Sequence, residues 1–550
     1  MDRSVININV GLLGHIDCGK TSLARTLSSK LSTACFDKHP QSQERGITLD
    51  LGFSAFLISP PDHLVTIYPS LEQLQVTLVD CPGHASLIKT IISGSQIIDL
   101  MLLVIDVTKG LQTQTGECLI IGEITCQQII VILNKVDLIP EANRPQAILK
   151  MSRRIKKTLE KTKFSSAPII PISATKGIDK ENHHNWGIDE LIKTIRGEIR
   201  SIERDPKGPF MFAIDHCFSI KGQGTIMTGT VIQGSVKVNE TIEIASLKTQ
   251  KKVKSIQMFK ESIDEAIQGD RIGICVTQFD SKSLERGIAS SPGYLESCYM
   301  LIVNIERIAY FKGTIESKSK FHITIFHETI LARIELFSST NKSPENEKSF
   351  NLNCEYLSLN KLDDETNYSH DDDEPNSPIE NKSIYGLIYL ERPVIASIGS
   401  LVIASKLDTS INMNTCRLAF HGKVLHKVTD KDFADSWLPS LKIYKIKSKK
   451  GTIERIPNEY EAIANIFKKE TNLNIFQGFK VTLSTGEIGY IDGSFGLKGK
   501  VKIRIPEGIK DKSLISKIGK KGKNNTDNQI IVTITFKRYI HDKEKKVVQL

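Results

Sequence analysis

Gly14-His15-Ile16-Asp17-Cys18-Gly19-Lys20-Thr21 stands between an apolar, β-branched run at residues 5–13 and a stretch at 21–27 with helical apolar spacing. A strand, a glycine loop closed by Lys-Thr and a helix, in that order, predict a phosphate-binding loop. Glycines let successive backbone N–H groups curl around phosphate oxygens, and the start of the next helix adds a favourable dipole. In this reading Lys20 reaches the β- and γ-phosphates, the Thr21 hydroxyl binds Mg²⁺, and Ser22 extends the nucleotide-binding segment.

Working outward, Val76-Thr77-Leu78-Val79 and residues 100–107 are further short apolar runs, each closing on an aspartate. Residues 129–133 end at Asn134-Lys135, and Ile169-Ile170-Pro171-Ile172 leads into Ser173-Ala174. Helical stretches between them predict an α/β domain with a mostly parallel sheet. Each motif then falls just after a strand, where open α/β sheets bind ligands. Asp80-Cys81-Pro82-Gly83-His84 places an aspartate to hold Mg²⁺ through water and the Gly83 N–H to sense the γ-phosphate. In Asn134-Lys135-Val136-Asp137 the last carboxylate can accept from both N1–H and N2–H₂ of guanine. Adenine has no such donor pair and would leave the carboxylate unpaired, so the nucleotide narrows to GTP. Ser173-Ala174 supplies a backbone contact to the guanine carbonyl. In Glu44-Arg45-Gly46-Ile47-Thr48, Thr48 can close over the γ-phosphate and complete the Mg²⁺ shell, and the segment can reorder when the phosphate leaves.

At 550 residues the chain is too long for one core. Four domains are expected: residues 1–204, the GTP-binding P-loop domain; 205–296, a β-barrel entered through Asp205-Pro206-Lys207-Gly208-Pro209; 297–435, a second β-barrel; and 436–550, a mostly β basic domain. The third is interrupted at about 338–382 by an Asn-, Ser- and Asp-rich segment, read as an insertion without structure. No run of 18 apolar residues predicts a membrane span, and Met1-Asp2-Arg3-Ser4 runs into the first strand without a signal or transit pattern. Ten cysteines without CxxC pairs fit a reducing compartment, so the expected location is the cytoplasm, with nuclear passage allowed. The chain carries a net +10, yet residues 436–550 hold 24 Lys and Arg against 11 Asp and Glu. That basic end on a near-neutral body suggests contact with RNA, against the plainer alternative of a solvated lysine-rich face.

Together, Gly-His-Ile-Asp-Cys-Gly-Lys-Thr, Arg-Gly-Ile-Thr-Leu, Asp-Cys-Pro-Gly-His and Asn-Lys-Val-Asp resemble the translational GTPases related to elongation factor Tu. Within them, the stretch from Phe36 to Phe53 is similar to the eukaryotic-type selenocysteine-specific elongation factors. So are Asp215-His216-Cys217-Phe218-Ser219-Ile220-Lys221-Gly222-Gln223-Gly224-Thr225, Asn414-Thr415-Cys416-Arg417-Leu418-Ala419-Phe420-His421-Gly422 and Thr535-Phe536-Lys537-Arg538-Tyr539.

The resemblance implies that His84 orients the hydrolytic water and stabilises the transition state when the ribosome engages. Ile16 and Ile47 would form the apolar gate that holds it back, although both fit ordinary packing. It places Asp215, His216 and Arg271 at a pocket for the selenocysteine end of the tRNA. Arg271 suits the anionic selenol because a guanidinium stays protonated; without the resemblance, all three read as polar residues at a barrel end. The implied partners are selenocysteinyl-tRNA, the ribosome and an accessory protein bound to the selenocysteine insertion element of the mRNA, with the chain acting as a monomer. Lys517-Ile518-Gly519-Lys520-Lys521-Gly522-Lys523 can touch RNA phosphates or simply be solvated, and His183-His184 reads as a surface pair. Two alternatives stand beside this reading: a carrier of general aminoacyl-tRNA or initiator tRNA, and a non-catalytic RNA-binding scaffold with a degenerate nucleotide site.

Overall fold

Val5–Gly14 (β1) is apolar or small at nearly every position and is buried along nine of its ten residues. Both of its edges are paired, in parallel, with Gln73–Asp80 (β4) and Leu100–Asp106 (β5). Strands covered on both faces need such continuous apolar runs. Lys30–Leu31 (β2), Gly52–Ile58 (β3), Gln128–Asn134 (β6) and Ile169–Pro171 (β7) complete a seven-stranded sheet of order β2-β3-β4-β1-β5-β6-β7. β3 runs antiparallel to β4 and β2; the other pairings are parallel. The chain is described by a computed structural model over residues 3–31, 50–84, 87–174, 186–200, 204–339, 350–362, 383–408, 416–496, 499–511, 530–544 and 546–550.

Leu23, Ala24 and Leu27 from the helix Lys20–Leu27, with Ile188, Leu191 and Ile195 from Ile188–Glu198, fill one face of the sheet. Ile88–Ser95, Thr113–Thr125 and Arg144–Leu159 cover the other, and that core runs on into Ile308, Ile403 and Leu418 of the third domain. The second domain is an antiparallel barrel built on Met211–Ile220 (β8) and Gly224–Gln233 (β9), and it closes where Thr241–Ile244 pairs with Thr249–Met258. Among the described residues, no helix is long and apolar enough to cross a membrane.

The chain forms two units, Met1–Ile334 with Gly386–Thr429, and Glu335–Tyr385 with Asp430–Leu550. The second is built on Ile443–Asn458, which pairs antiparallel with Ile531–Tyr539 and with Glu461–Asn465 over a core of Ile453, Ala464, Ile503, Val532 and Phe536. One expectation is corrected here. Part of the 338–382 segment is ordered: Tyr356–Leu359 forms a strand beside Leu336–Ser339, and Phe350, Tyr356, Phe337 and Tyr385 pack ring on ring. The acidic composition averages over Phe350 and a local Tyr-Leu-Ser-Leu run, and Phe350 and Tyr356 pack against the flanking Phe337 and Tyr385, burying enough apolar surface to order their own stretch. Lys517–Lys523, His183-His184 and Asn414-Thr415 lie outside the described residues.

Candidate functional site

β1 ends at Gly14 with φ 148°, and a Cβ there would lie 2.3 Å from the Val104 carbonyl oxygen, so only glycine lets β1 turn away this close to β5. Asp17 (φ 60°) and Gly19 (φ 94°) then curl the loop back to the helix start. That helix has no side-chain cap, so no side chain competes with an anion for its first-turn N–H groups. Lys20 is buried, and its ammonium donates to the carbonyls of Gly14 (3.0 Å) and His15 (2.8 Å), which holds the cation over the centre of the loop.

Thr21 Oγ1 donates to Asp80 Oδ2 at 2.7 Å, bringing together a hydroxyl from the first turn of the helix and a carboxylate from the end of β4. These are hard oxygen donors of the kind Mg²⁺ prefers. Gly83 lies directly on the loop: a Cβ there would be 2.4 Å from Lys20 Nζ and 2.9 Å from Ile16 Cα. His84 follows, half-buried, just before the helix Ile88–Ser95. Thr48 and Ile47 lie outside the described residues.

Beyond the loop, Asn134 acts as a bolt. Its Nδ2 donates to Cys18 O at 2.9 Å, and its Oδ1 accepts from Ala174 N at 3.0 Å. Ser173 Oγ donates to Asp137 Oδ1 at 2.7 Å, which orients that carboxylate. The Ala174 N–H, expected to meet the guanine carbonyl, is thus engaged by Asn134, and Ser173 N donates to Trp186 O. Two residues the motifs did not reveal complete the frame. Asp106, at the end of β5, pairs with Lys135 Nζ at 2.9 Å, and Thr26 Oγ1 donates to Ala174 O at 2.8 Å. Burial would raise the Asp106 carboxyl, but hydrogen bonds from Thr108 and Lys135 outweigh it and hold the group below its ordinary range. Asp106 and Lys135 were each visible in the sequence; their pairing, set by the left-handed turn at Lys135 (φ 66°), was not.

A second cluster forms where the barrel of the second domain meets the sheet. The register of β8 against β9 shifts between Ile214 and His216, and this bulge sets Asp215 apart from the regular alternation. Asp215 is buried and ion-paired with Arg271, which lies opposite Thr230. The Arg271 guanidinium stacks on Phe53 of β3, Cζ 3.3 Å from the ring centre. His216 Nε2 is 3.3 Å from Asp50 Oδ2, and Arg286 pairs with the other oxygen of the same carboxylate. Burial alone would raise the Asp50 carboxyl; His216 and Arg286 outweigh it and hold it well below the usual carboxylate range. Burial lowers the Arg271 guanidinium to about 9 against the opposing charge of Asp50, so it stays a cation at neutral pH. His327, from the third domain, brings Nε2 to 4.0 Å from Asp215 Oδ1.

Six buried polar atoms meet here without a protein partner among the described residues: Asp215 Oδ1, His216 Nδ1, Thr228 Oγ1, Thr230 Oγ1, Arg271 Nη2 and His327 Nε2. Proteins satisfy nearly all such atoms, so this concentration of them is where water or a small polar ligand would bind. An open cleft of about 110 Å³ adjoins it, lined by Phe218, Ile226, Gln257, Phe259 and Lys260 and sharing Thr228 and Arg271 with the cluster. The structure therefore brings the three sequence-expected pocket residues together and adds Asp50, Phe53, Arg286 and His327, which no local motif announced.

Family models place these sites in context. Residues 6–201 match the elongation factor Tu GTP binding domain and 224–288 elongation factor Tu domain 2. Residues 302–422 match the third domain of eukaryotic selenocysteine-specific elongation factors, and 439–545 the eEFSec C-terminal RIFT domain. The chain is 48% identical over 578 residues to the selenocysteine-specific elongation factor of Mus musculus, covering 99% of each. It is 32% identical over 526 residues to that of Methanocaldococcus jannaschii, covering 94% of this chain and 98% of the other. Among solved structures, it resembles translation elongation factor SelB of Methanococcus maripaludis in complex with the GTP analogue GppNHp. The TM-score is 0.67 at 28% identity, over 98% of this chain and 100% of that one.

Proposed function

The chain belongs to the selenocysteine-specific elongation factors, a family of translational GTPases, and from that premise we propose that it carries selenocysteinyl-tRNA to the ribosomal A site at recoded UGA codons. GTP hydrolysis then releases the tRNA. The observation that carries this reading is the cluster of unpartnered polar atoms around Arg271 and Asp215. A selenol is more acidic than a thiol and is anionic at neutral pH, whereas a serine hydroxyl is neutral. A buried guanidinium with one donor to spare favours the anion, and the spare Asp215 oxygen suits the α-amino group. The cleft beside the cluster, where Phe218, Ile226 and Phe259 stand next to Gln257 and Lys260, suits part of the terminal nucleotide to which the amino acid is esterified.

At the nucleotide site, Lys20 meets the β- and γ-phosphates and Asp137 reads guanine. Thr21 and Asp80, with Thr48, would hold Mg²⁺, which neutralises phosphate charge when bound. His84 orients the attacking water, with Ile16 and Ile47 holding it back until the ribosome engages. His84→Ala should lower ribosome-stimulated hydrolysis by roughly 10²-fold or more, the scale lost with a group that stabilises only the transition state, while the GTP dissociation constant stays within about twofold. Stimulated turnover equal to the wild type rules His84 out of this role.

The basic residues 436–550 would extend the contact to the tRNA and to an accessory protein on the selenocysteine insertion element. The chain would act as a monomer in the cytoplasm, with passage through the nucleus. Competition binding of selenocysteinyl-, seryl- and a bulk elongator tRNA to the GTP form tests the whole reading. The selenocysteinyl species should bind tightest, and equal affinities would leave a general carrier as the better description.

A further inference from the structure

We propose that His327 is a positioning residue of the aminoacyl pocket, holding Asp215 in place and tying it, through Ser93, to the helix that follows the Asp80–His84 loop. This rests on the pocket reading given above.

His327 sits at the tip of a tight hairpin. Ile325 pairs with Glu328, which leaves Phe326 and His327 as the two turn residues. Two-residue hairpins favour glycine or asparagine where φ is positive; here Phe326 takes φ 49°. An aromatic residue in that region is strained and persists only where surrounding contacts hold it. Phe326 is 7% exposed and the His327 side chain 7%, so both turn side chains point into protein rather than solvent.

The imidazole has a defined partner on one nitrogen and an open one on the other. Nδ1 lies 2.6 Å from Ser93 Oγ, in the helix Ile88–Ser95. Nε2 faces Asp215 Oδ1 at 4.0 Å, and neither of these two atoms has another partner among the described residues. A carboxylate only accepts, so the tautomer that suits both ends has the Ser93 hydroxyl donating to Nδ1 and the ring proton on Nε2, aimed at Asp215. The gap of 4.0 Å is longer than a hydrogen bond, so the proposed contact requires the hairpin tip to move closer to Asp215. Burial, reinforced by Arg286 and Arg271 against the opposing charge of Asp50, lowers the His327 imidazole to about 4. The ring therefore stays neutral and orients Asp215 without cancelling its charge. With one Asp215 oxygen held by Arg271 and the other accepting from His327 through one lone pair, the carboxylate would have a fixed direction, leaving the second lone pair of that oxygen to the α-amino group.

The pocket thus draws on three domains, with Asp215 and Arg271 from the second, Phe53 from the first and His327 from the third. Ser93 adds a physical link to the nucleotide side, since its helix begins four residues after His84. A positioning role differs from simple packing in what it predicts: loss of discrimination between cargoes, restored by a side chain that can still donate to Asp215.

The test measures dissociation constants for selenocysteinyl- and seryl-tRNA on the GTP form of the full chain, for the wild type, His327→Ala, His327→Gln, Ser93→Ala and Arg271→Ala. The ratio of the two constants on one preparation is independent of the fraction folded. His327→Ala should lower the preference for selenocysteinyl-tRNA about tenfold, the scale of one oriented hydrogen bond to a charged group. His327→Gln, with an amide N–H in place of Nε2–H, should recover most of it, and Ser93→Ala should lose roughly threefold. A preference that survives His327→Ala, or a Gln variant no better than Ala, overturns the proposal while leaving the pocket intact. A wild type without any preference, matched by Arg271→Ala, overturns the pocket reading itself and this inference with it.

Discussion

Asp137→Asn should lower GTP affinity by roughly 10²- to 10⁴-fold and create a preference for xanthosine triphosphate. The carboxylate accepts from two guanine donors, and each hydrogen bond to a charged group is worth about 1.5–3 kcal/mol. An asparagine amide keeps one acceptor oxygen and replaces the other with an NH₂ donor, which then faces the guanine N2–H₂ donor. Xanthine carries a carbonyl at that position, so the amide pairs with it and with N1–H. The surroundings tolerate the exchange: the Ser173 hydroxyl that donates to Asp137 Oδ1 at 2.7 Å can donate equally to an amide oxygen and so fix the amide's orientation. Asn134 and Lys135 stay engaged by Cys18, Ala174 and Asp106, leaving the frame of the site unchanged. Competition binding with the two nucleotides reads the result directly. GTP affinity within about threefold of the wild type would mean that Asp137 does not read the base.

The nucleotide site was legible because its chemistry is local. Loop, strand and helix lie within 23 residues of one another, and each further motif closes a buried strand whose apolar run is itself a signal. What could not be read was how the motifs brace one another. Asn134 reads as a nucleotide ligand in sequence, yet its amide spans Cys18 and Ala174, 116 and 40 residues away. The second cluster shows the same limit more sharply. Asp215, His216 and Arg271 came from resemblance alone, since polar residues at a barrel end carry no periodic signature. Asp50, Phe53 and His327 join them across domain boundaries, and Arg286 reaches across one to Asp50, where contact leaves no trace in local spacing. Composition misled in one place: the acidic stretch after Ser338 contains Tyr356–Leu359, a strand whose pairing depends on Leu336–Ser339.

Arg417→Ala should destabilise the assembly of the first and third domains by about 3–5 kcal/mol, the cost of leaving one partner of a buried ion pair behind. Arg417 Nε reaches Glu117 Oε1 at 2.9 Å and Nη2 reaches Oε2 at 2.6 Å, a two-pronged pairing between the helix Thr113–Thr125 and the chain just before the strand Leu418–Val428. The side chains are 9% and 7% exposed, so removing the guanidinium strands a carboxylate with little access to water. The apolar contacts around the pair survive the cut, because Ile308, Ile403 and Leu418 still pack with Cys118, Leu119 and Ile121 of that helix. The loss therefore comes from the uncompensated charge rather than from packing, and this makes the double replacement informative. Glu117→Leu with Arg417→Leu removes both charges and keeps comparable volume, so it should recover most of the stability lost by Arg417→Ala. Urea unfolding of the single and double variants separates the two causes. If the double variant is as unstable as Arg417→Ala, the pair stabilises through its own attraction and shape. If it returns close to the wild type, its value lies in holding the third domain, and with it His327, in one register on the nucleotide-binding domain.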